Sequence, residues 1–227
     1  MKNYKSIVYN KKHLAGSTGA TVEIYDKTKT VVARLEGLKK AYDLCLSPNG
    51  ELLCVRSANG YFVIFSIASL AEIGKVEIDK KYNSVDGGML FLHDSTRLYN
   101  IEVQEADENM ACTVAVYSME DLTLTKRASL PKKTYINDFE YDSADGNYYV
   151  IGYVRGEDGY RFIAKFSDGE IVSPVKITKS EHELYAQLKC LENRGHNSGK
   201  FTGNAESFLD RGFSLAKLYK YRKENEI

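Results

Sequence analysis

The strongest constraint on this chain is a turn-and-strand unit that returns at intervals of about 40 to 53 residues, the period of radially repeated folds. Its clearest copy opens at Leu35-Glu36-Gly37-Leu38, passes through Ser47-Pro48-Asn49-Gly50 and Ser57-Ala58-Asn59-Gly60, and closes at Ile64-Phe65-Ser66. Weaker copies close at Tyr25-Asp26, Tyr117-Ser118, Phe166-Ser167 and Tyr219-Lys220. Each unit has room for four short strands. Four-stranded sheets repeated around an axis predict an all-β protein, a β-propeller of about five four-stranded antiparallel blades.

Period-two alternation supplies the strands, and Gly, Asn, Asp and Ser bound them. A first group covers Lys5 to Tyr9, His13 to Ser17, Thr21 to Tyr25 and Val31 to Leu35. A second covers Asp43 to Leu46, Leu52 to Ser57, Tyr61 to Ser66 and Ile73 to Ile78. The third runs Met89 to Leu92, Leu98 to Val103, Thr113 to Ser118 and Leu124 to Leu130. The fourth runs Phe139 to Tyr141, Tyr148 to Val154, Tyr160 to Phe166 and Ile171 to Ile177. Asn59-Gly60 and Asp158-Gly159 are hairpin turns by composition. The apolar side of the alternation places Ile7, Leu44, Leu46, Val63, Phe65, Phe91, Val116, Phe139, Val150 and Ile163 in the core.

Residues 182–227 admit two readings, strands that complete a blade or a helix. Phe208, Leu209, Leu215 and Leu218 share one side of a helix over about Glu206 to Lys223, but Gly212 in its middle costs about 1 kcal/mol. A strand over Phe213 to Tyr221, closing the ring beside the N-terminal strand, is therefore the expectation. No composition break divides the chain, so residues 1–227 read as a single domain.

The stretch Leu35 to Ser66 resembles a repeat of the WD-repeat propeller family. Gly37-Leu38 stands where that family has Gly-His, and Ser47-Pro48-Asn49-Gly50 matches its Ser-Pro-Asp-Gly turn. Asn59-Gly60 stands for Asp-Gly, and Phe65-Ser66 for the closing Trp-Asp, of which Tyr25-Asp26 is the best relic. The chain contains no Trp, so the family's hydrogen-bonded Ser/His/Asp/Trp network cannot form. The resemblance implies the architecture and no particular activity.

The chain's 31 basic and 31 acidic residues cancel, which argues against a general nucleic-acid binder. Its 17 Tyr and 9 Phe, with only 3 Pro, suit half-buried strands. Cys45, Cys54, Cys112 and Cys190 lack paired metal-ligand spacing and read as small core residues in a reducing compartment. Met1 to Asn10 lacks the apolar run of a signal peptide, and Tyr61 to Ala71 is too short to span a bilayer. A cytoplasmic protein without membrane contact is expected.

One further element repeats. Just before the inner strands come Lys39-Lys40-Ala41-Tyr42-Asp43, Lys80-Lys81-Tyr82-Asn83 and Lys132-Lys133-Thr134-Tyr135-Ile136-Asn137. Looser versions surround Tyr4 and Tyr185. In a propeller these segments end around one mouth of the central channel. Exposed Tyr42, Tyr82 and Tyr135 rimmed by Lys39, Lys40, Lys80, Lys81, Lys132 and Lys133 would form a surface for a partner protein. The opposite end would carry Glu51, Asp94, Glu120, Asp121, Asp142, Asp145, Asp168 and Glu170.

No nucleophile elbow, P-loop or zinc-protease motif is present. Paired carboxylates at Glu102/Glu105 and Asp107/Glu108 read as an exposed hairpin loop, and nothing requires a cofactor or metal. The expectation is a non-enzymatic macromolecule-binding module, an intracellular scaffold or a dedicated neutralising, immunity-type protein. The alternative is a propeller hydrolase or lyase acting on a small anionic substrate at the mouth.

Overall fold

The computed structural model describes residues 6–9, 12–28, 30–82, 88–104, 111–156, 159–185 and 214–225. Among the described residues sixteen strands form four antiparallel sheets. Sheet 1 contains β1 (Ser6–Tyr9), β2 (Leu14–Ser17), β3 (Val22–Tyr25) and β4 (Val31–Leu35). Sheet 2 contains β5 (Ala41–Leu46), β6 (Leu52–Ser57), β7 (Tyr61–Ser66) and β8 (Glu72–Glu77). Sheet 3 contains β9 (Met89–Phe91), β10 (Arg97–Gln104), β11 (Ala111–Ser118) and β12 (Leu124–Ser129). Sheet 4 contains β13 (Thr134–Asp142), β14 (Asn147–Val154), β15 (Arg161–Ser167) and β16 (Glu170–Ile177).

Within every sheet the strands lie in sequence order. The first strands touch in series, β1 with β5, β5 with β9 and β9 with β13. They therefore lie innermost and the fourth strands outermost, the arrangement of propeller blades.

Alternating side chains fill the gaps between sheets. Ala15, Val22 and Ile24 meet Leu44, Val55 and Val63 between sheets 1 and 2. Phe62 and Ile64 meet Phe91, Leu98 and Tyr117 between sheets 2 and 3, with Phe62 edge-on to Tyr117 at 5.0 Å. Tyr99, Val114 and Val116 meet Phe139, Val150 and Phe166 between sheets 3 and 4. Every expected core residue whose side chain is described is buried, and Ile7 lies outside that set.

The inner strands of sheets 2 and 4 begin earlier than alternation placed them, at Ala41 and Thr134. A β-bulge at Tyr42 and another at Asn137 insert one residue and reverse the parity. Period two is legible only beyond each bulge. The outer strands are bulged as well, near the start of β4, β8 and β12 and midway along β16. Beside these bulges stand the exposed aliphatic residues Val32, Ile73, Leu124 and Val172. Bulges twist a free edge and interrupt its row of hydrogen-bonding groups, which discourages pairing with another chain.

The C-terminal expectation is corrected. Leu215–Glu224 is an α-helix, and no strand there pairs with β1. Ser214 caps it by accepting the Lys217 N–H at 3.1 Å, so Gly212 precedes the helix and its penalty does not apply. Leu215, Ala216, Leu218 and Tyr219 face Tyr149, Ile151, Ile163, Val175 and Ile177 on the far side of sheet 4. The expected fifth blade thus falls on a region that is helical over 182–185 and Leu215–Glu224, while 186–213 lies outside the described residues.

Candidate functional site

Each sheet is entered through its inner strand, so the Lys-Tyr segments come at the entry ends of sheets 2, 3 and 4. Two of them share a backbone device. Lys40 and Lys133 directly precede β5 and β13 and hold left-handed φ values of 51° and 63°. The Lys40 carbonyl accepts the Ala58 N–H at 3.0 Å, and the Lys133 carbonyl accepts the Arg155 N–H at 2.8 Å. Each donor follows the second strand of the same sheet, so that hairpin clamps the strained residue in place. The left-handed region costs a β-carbon-bearing residue about 1–2 kcal/mol. At sheet 3, Lys80–Tyr82 forms a 3-10 turn whose Lys81 N–H is held by Asp79 Oδ1 at 3.1 Å.

The six lysines are exposed, as expected, but two of the tyrosines are not. Tyr82 and Tyr135 are 9% and 5% exposed, and Tyr42 is half-buried. The 3-10 turn folds the Tyr82 ring between Lys81 Nζ at 4.9 Å and the Arg127 guanidinium at 4.4 Å. Tyr135 lies before the sheet 4 bulge and stacks on Tyr153 at 4.9 Å. Tyr42 sits beneath Arg56 at 5.7 Å. Tyr185 is buried too, donating to Asp138 Oδ2 at 2.8 Å, whereas Tyr4 lies outside the described residues. The entry end is therefore a lysine rim around a tyrosine-capped core. Among its six lysines only Lys81 has an ion-pair partner within the described residues, Asp79 at 3.4 Å.

At the opposite end the carboxylates are largely engaged by their own turns. Asp94 accepts the Thr96 N–H, and Asp121 accepts both donors of Thr123. Asp142 and Asp145 hold Lys220 at 3.2 and 2.9 Å. Burial pushes the Asp145 carboxyl up, but hydrogen bonds from Tyr149 and Lys220 outweigh it and hold the group well below the usual range.

Glu102 departs from the hairpin-loop reading, while Glu105, Asp107 and Glu108 lie outside the described residues. It lies in β10, fully buried, in the gap facing sheet 2. Its carboxylate accepts Arg127 Nε at 3.1 Å and Nη2 at 2.7 Å, the Tyr117 hydroxyl at 2.8 Å and Asn100 Nδ2 at 3.0 Å. Burial pushes the Tyr117 phenol up, and the adjoining carboxylate adds to that. Arg127 connects this network to the rim, because the same guanidinium covers Tyr82. The signal was present in the alternation, since Leu98, Asn100 and Glu102 share one face of the strand. Among the described residues no group of three His, Cys, Asp or Glu side chains is placed to hold a metal ion.

No family model and no curated protein matches the sequence. Similarity appears in the fold. The WD40 domain of Toxoplasma gondii coronin matches with a TM-score of 0.56 at 14% identity, over 76% of this chain and 46% of that one. The RRP9 WD40 repeats match at 0.53 and 10% identity, over 78% and 51%. Hydrazine synthase of Kuenenia stuttgartiensis matches at 0.51 and 11% identity, over 79% and 67%. The chain thus spans about half the length of the two WD40 structures. Meander sheets around inner strands define the class, a β-propeller. Within that class the fold is WD-repeat-like, built here without the closing tryptophans. Among the described residues no helix is long and apolar enough to cross a membrane.

Proposed function

We propose that this chain is a non-enzymatic binding module that engages an acidic surface of another protein through its lysine rim. The observation that carries the reading is the state of Lys39, Lys40, Lys80, Lys132 and Lys133. All are exposed and without an ion pair among the described residues, and they gather at the entry ends of three consecutive sheets. Tyr82 and Tyr135 act as supports that fix the lysine turns, and Tyr42 is the tyrosine able to make contact. The intracellular partner is either held as part of an assembly or silenced, as by an immunity-type protein. Activity of the captured partner with and without this chain separates those roles.

The test compares capture from native lysate by the wild-type chain and by a folded Lys39→Glu/Lys80→Glu/Lys132→Glu variant. Loss of a salt-sensitive partner, with association slowed about ten-fold, is the expected result. Capture unaffected by the three reversals refutes the rim.

A further inference from the structure

The far face of sheet 4 has the composition of a face that packs against a neighbouring sheet. Tyr149, Ile151, Ile163, Val175 and Ile177 on it are all buried. Among the described residues they are covered by the C-terminal helix, through Leu215, Ala216, Leu218 and Tyr219, together with Tyr185. The rim of this face is acidic, and each carboxylate meets a complementary group of the helix. Both oxygens of Glu140 accept the Leu215 N–H, at 3.0 and 3.1 Å, at the helix N-terminus. Asp142 and Asp145 hold Lys220, and Glu181 holds both Nε and Nη2 of Arg222. The face therefore reads a specific pattern: apolar residues at positions 1, 2, 4 and 5 of a helix, with cations at positions 6 and 8.

The helix depends on its docking face for its structure, because its ten residues are fewer than the roughly 12–15 that an isolated helix needs for stability. Its main contacts are with the strands of sheet 4. Of the cations that fasten it, Lys220 is 46% exposed and such a pair holds loosely, whereas Arg222, 30% exposed, is gripped bidentately by Glu181. Sheets 2 and 3, by contrast, pack against a neighbouring sheet on both faces.

We propose that the far face of sheet 4 is a helix-binding groove selective for short basic amphipathic helices. The chain's own C-terminal helix is its resident occupant. A partner protein that presents a helix of the same pattern displaces it, since the groove supplies carboxylates at fixed positions and an apolar floor between them. This surface is separate from the lysine rim, so either reading can fail without the other.

The probe is a fluorescein-labelled peptide with the sequence of Ser214 to Asn225, added to full-length protein at low salt and followed by fluorescence polarisation. Two chains have their own helix loosened, Leu218→Ala/Tyr219→Ala and Lys220→Glu/Arg222→Glu. Both are expected to bind the peptide at least about ten-fold more tightly than the wild type, because the resident helix no longer competes. A scrambled peptide is expected not to bind, and Glu140→Gln/Glu181→Gln added to a loosened chain should lower affinity about five-fold or more. No binding to loosened chains that retain their near-ultraviolet dichroism overturns the proposal, as does equal binding of the scrambled peptide. Hydrogen exchange on the wild-type chain decides the matter if neither variant folds. Helix amides over 215–224 should exchange at least about 100-fold faster than those of β14 and β15. Exchange in step with those strands marks a permanent cap and refutes the groove.

Discussion

Replacing Glu102 by Gln removes one charge from the gap between sheets 2 and 3 while keeping the shape of the side chain. The carboxylate accepts four hydrogen bonds, two from Arg127 and one each from Tyr117 and Asn100. Gln retains an oxygen for Tyr117 and Asn100 but turns an amide donor toward the Arg127 guanidinium. Two charge-assisted bonds are lost, each worth about 1.5–3 kcal/mol. Breaking one side of a buried ion pair costs about 3–5 kcal/mol. Arg127 is 24% exposed and can turn partly to water, which moves the expected loss to the low end, about 3 kcal/mol. Urea unfolding followed by far-ultraviolet dichroism measures it, since the transition midpoint should fall at constant slope. Arg127→Met alone should be similarly costly, and the double variant should recover about 2 kcal/mol relative to the sum of the singles. Freed from Glu102, Arg127 no longer fixes the Tyr82 ring, so the amides of Lys81 and Tyr82 should exchange faster. A Glu102→Gln loss below about 1 kcal/mol at unchanged slope, with additive singles, would falsify the account of a network that ties the rim to the core.

Tyr82→Ala and Tyr135→Ala should each cost about 3–5 kcal/mol in the same urea assay, as buried aromatics do, and a near-neutral result would restore them as surface anchors. Lys40→Gly and Lys133→Gly should each raise stability by about 1 kcal/mol by relieving the left-handed strain, while weakening partner capture. Lower stability in either would show that the lysine stem packs in a way the strain argument ignores. His182 is held below its ordinary 6.5, first by burial and then by the Arg161 charge, with Glu183 opposing. Its ring bonds Asn137 Oδ1 at 3.1 Å and lies edge-on to Tyr153. Because the folded chain prefers the neutral ring, this contribution is complete above pH 6.5 and is lost as pH falls through the lower folded value. A wild-type unfolding midpoint that falls in that window, but not in His182→Gln, is the expected result, and parallel profiles would refute it.

The strands and inter-sheet core were legible because alternation and turn composition are local signals. Phe65 and Ile163 sit on the apolar side of a simple period, and burial followed. The bulges at Tyr42 and Asn137 were not legible, since an inserted residue shows only as a break in parity. The burial of Tyr135 was hidden for a related reason: a strand read as starting at Phe139 leaves Tyr135 in the preceding connection, whereas β13 begins at Thr134 and carries it inside the sheet. Tyr82 was misjudged because a basic turn promises exposure, while its ring is drawn inward by Arg127 from a strand about 45 residues away, a partner no local pattern reveals. Glu102 shows the converse, a charge whose inward parity was legible and whose partner was not. For the C-terminal helix, Gly212 counted only if the helix included it, and the Ser214 cap places it outside.

The bulged outer strands have a bearing on how the molecule can change. A visitor that adds a strand to a sheet borrows main-chain groups that every sequence possesses, so its grip is largely indifferent to mutation. A bulge in each of the four outer strands of the described sheets narrows that indiscriminate route. Contacts there fall more to side chains such as Val32, Ile73, Leu124 and Val172, which belong to no buried layer. Single substitutions at these positions can create or erase a lateral interaction without disturbing the blade beneath. The circumference is thus the part of the molecule on which selection can experiment at least risk to the fold.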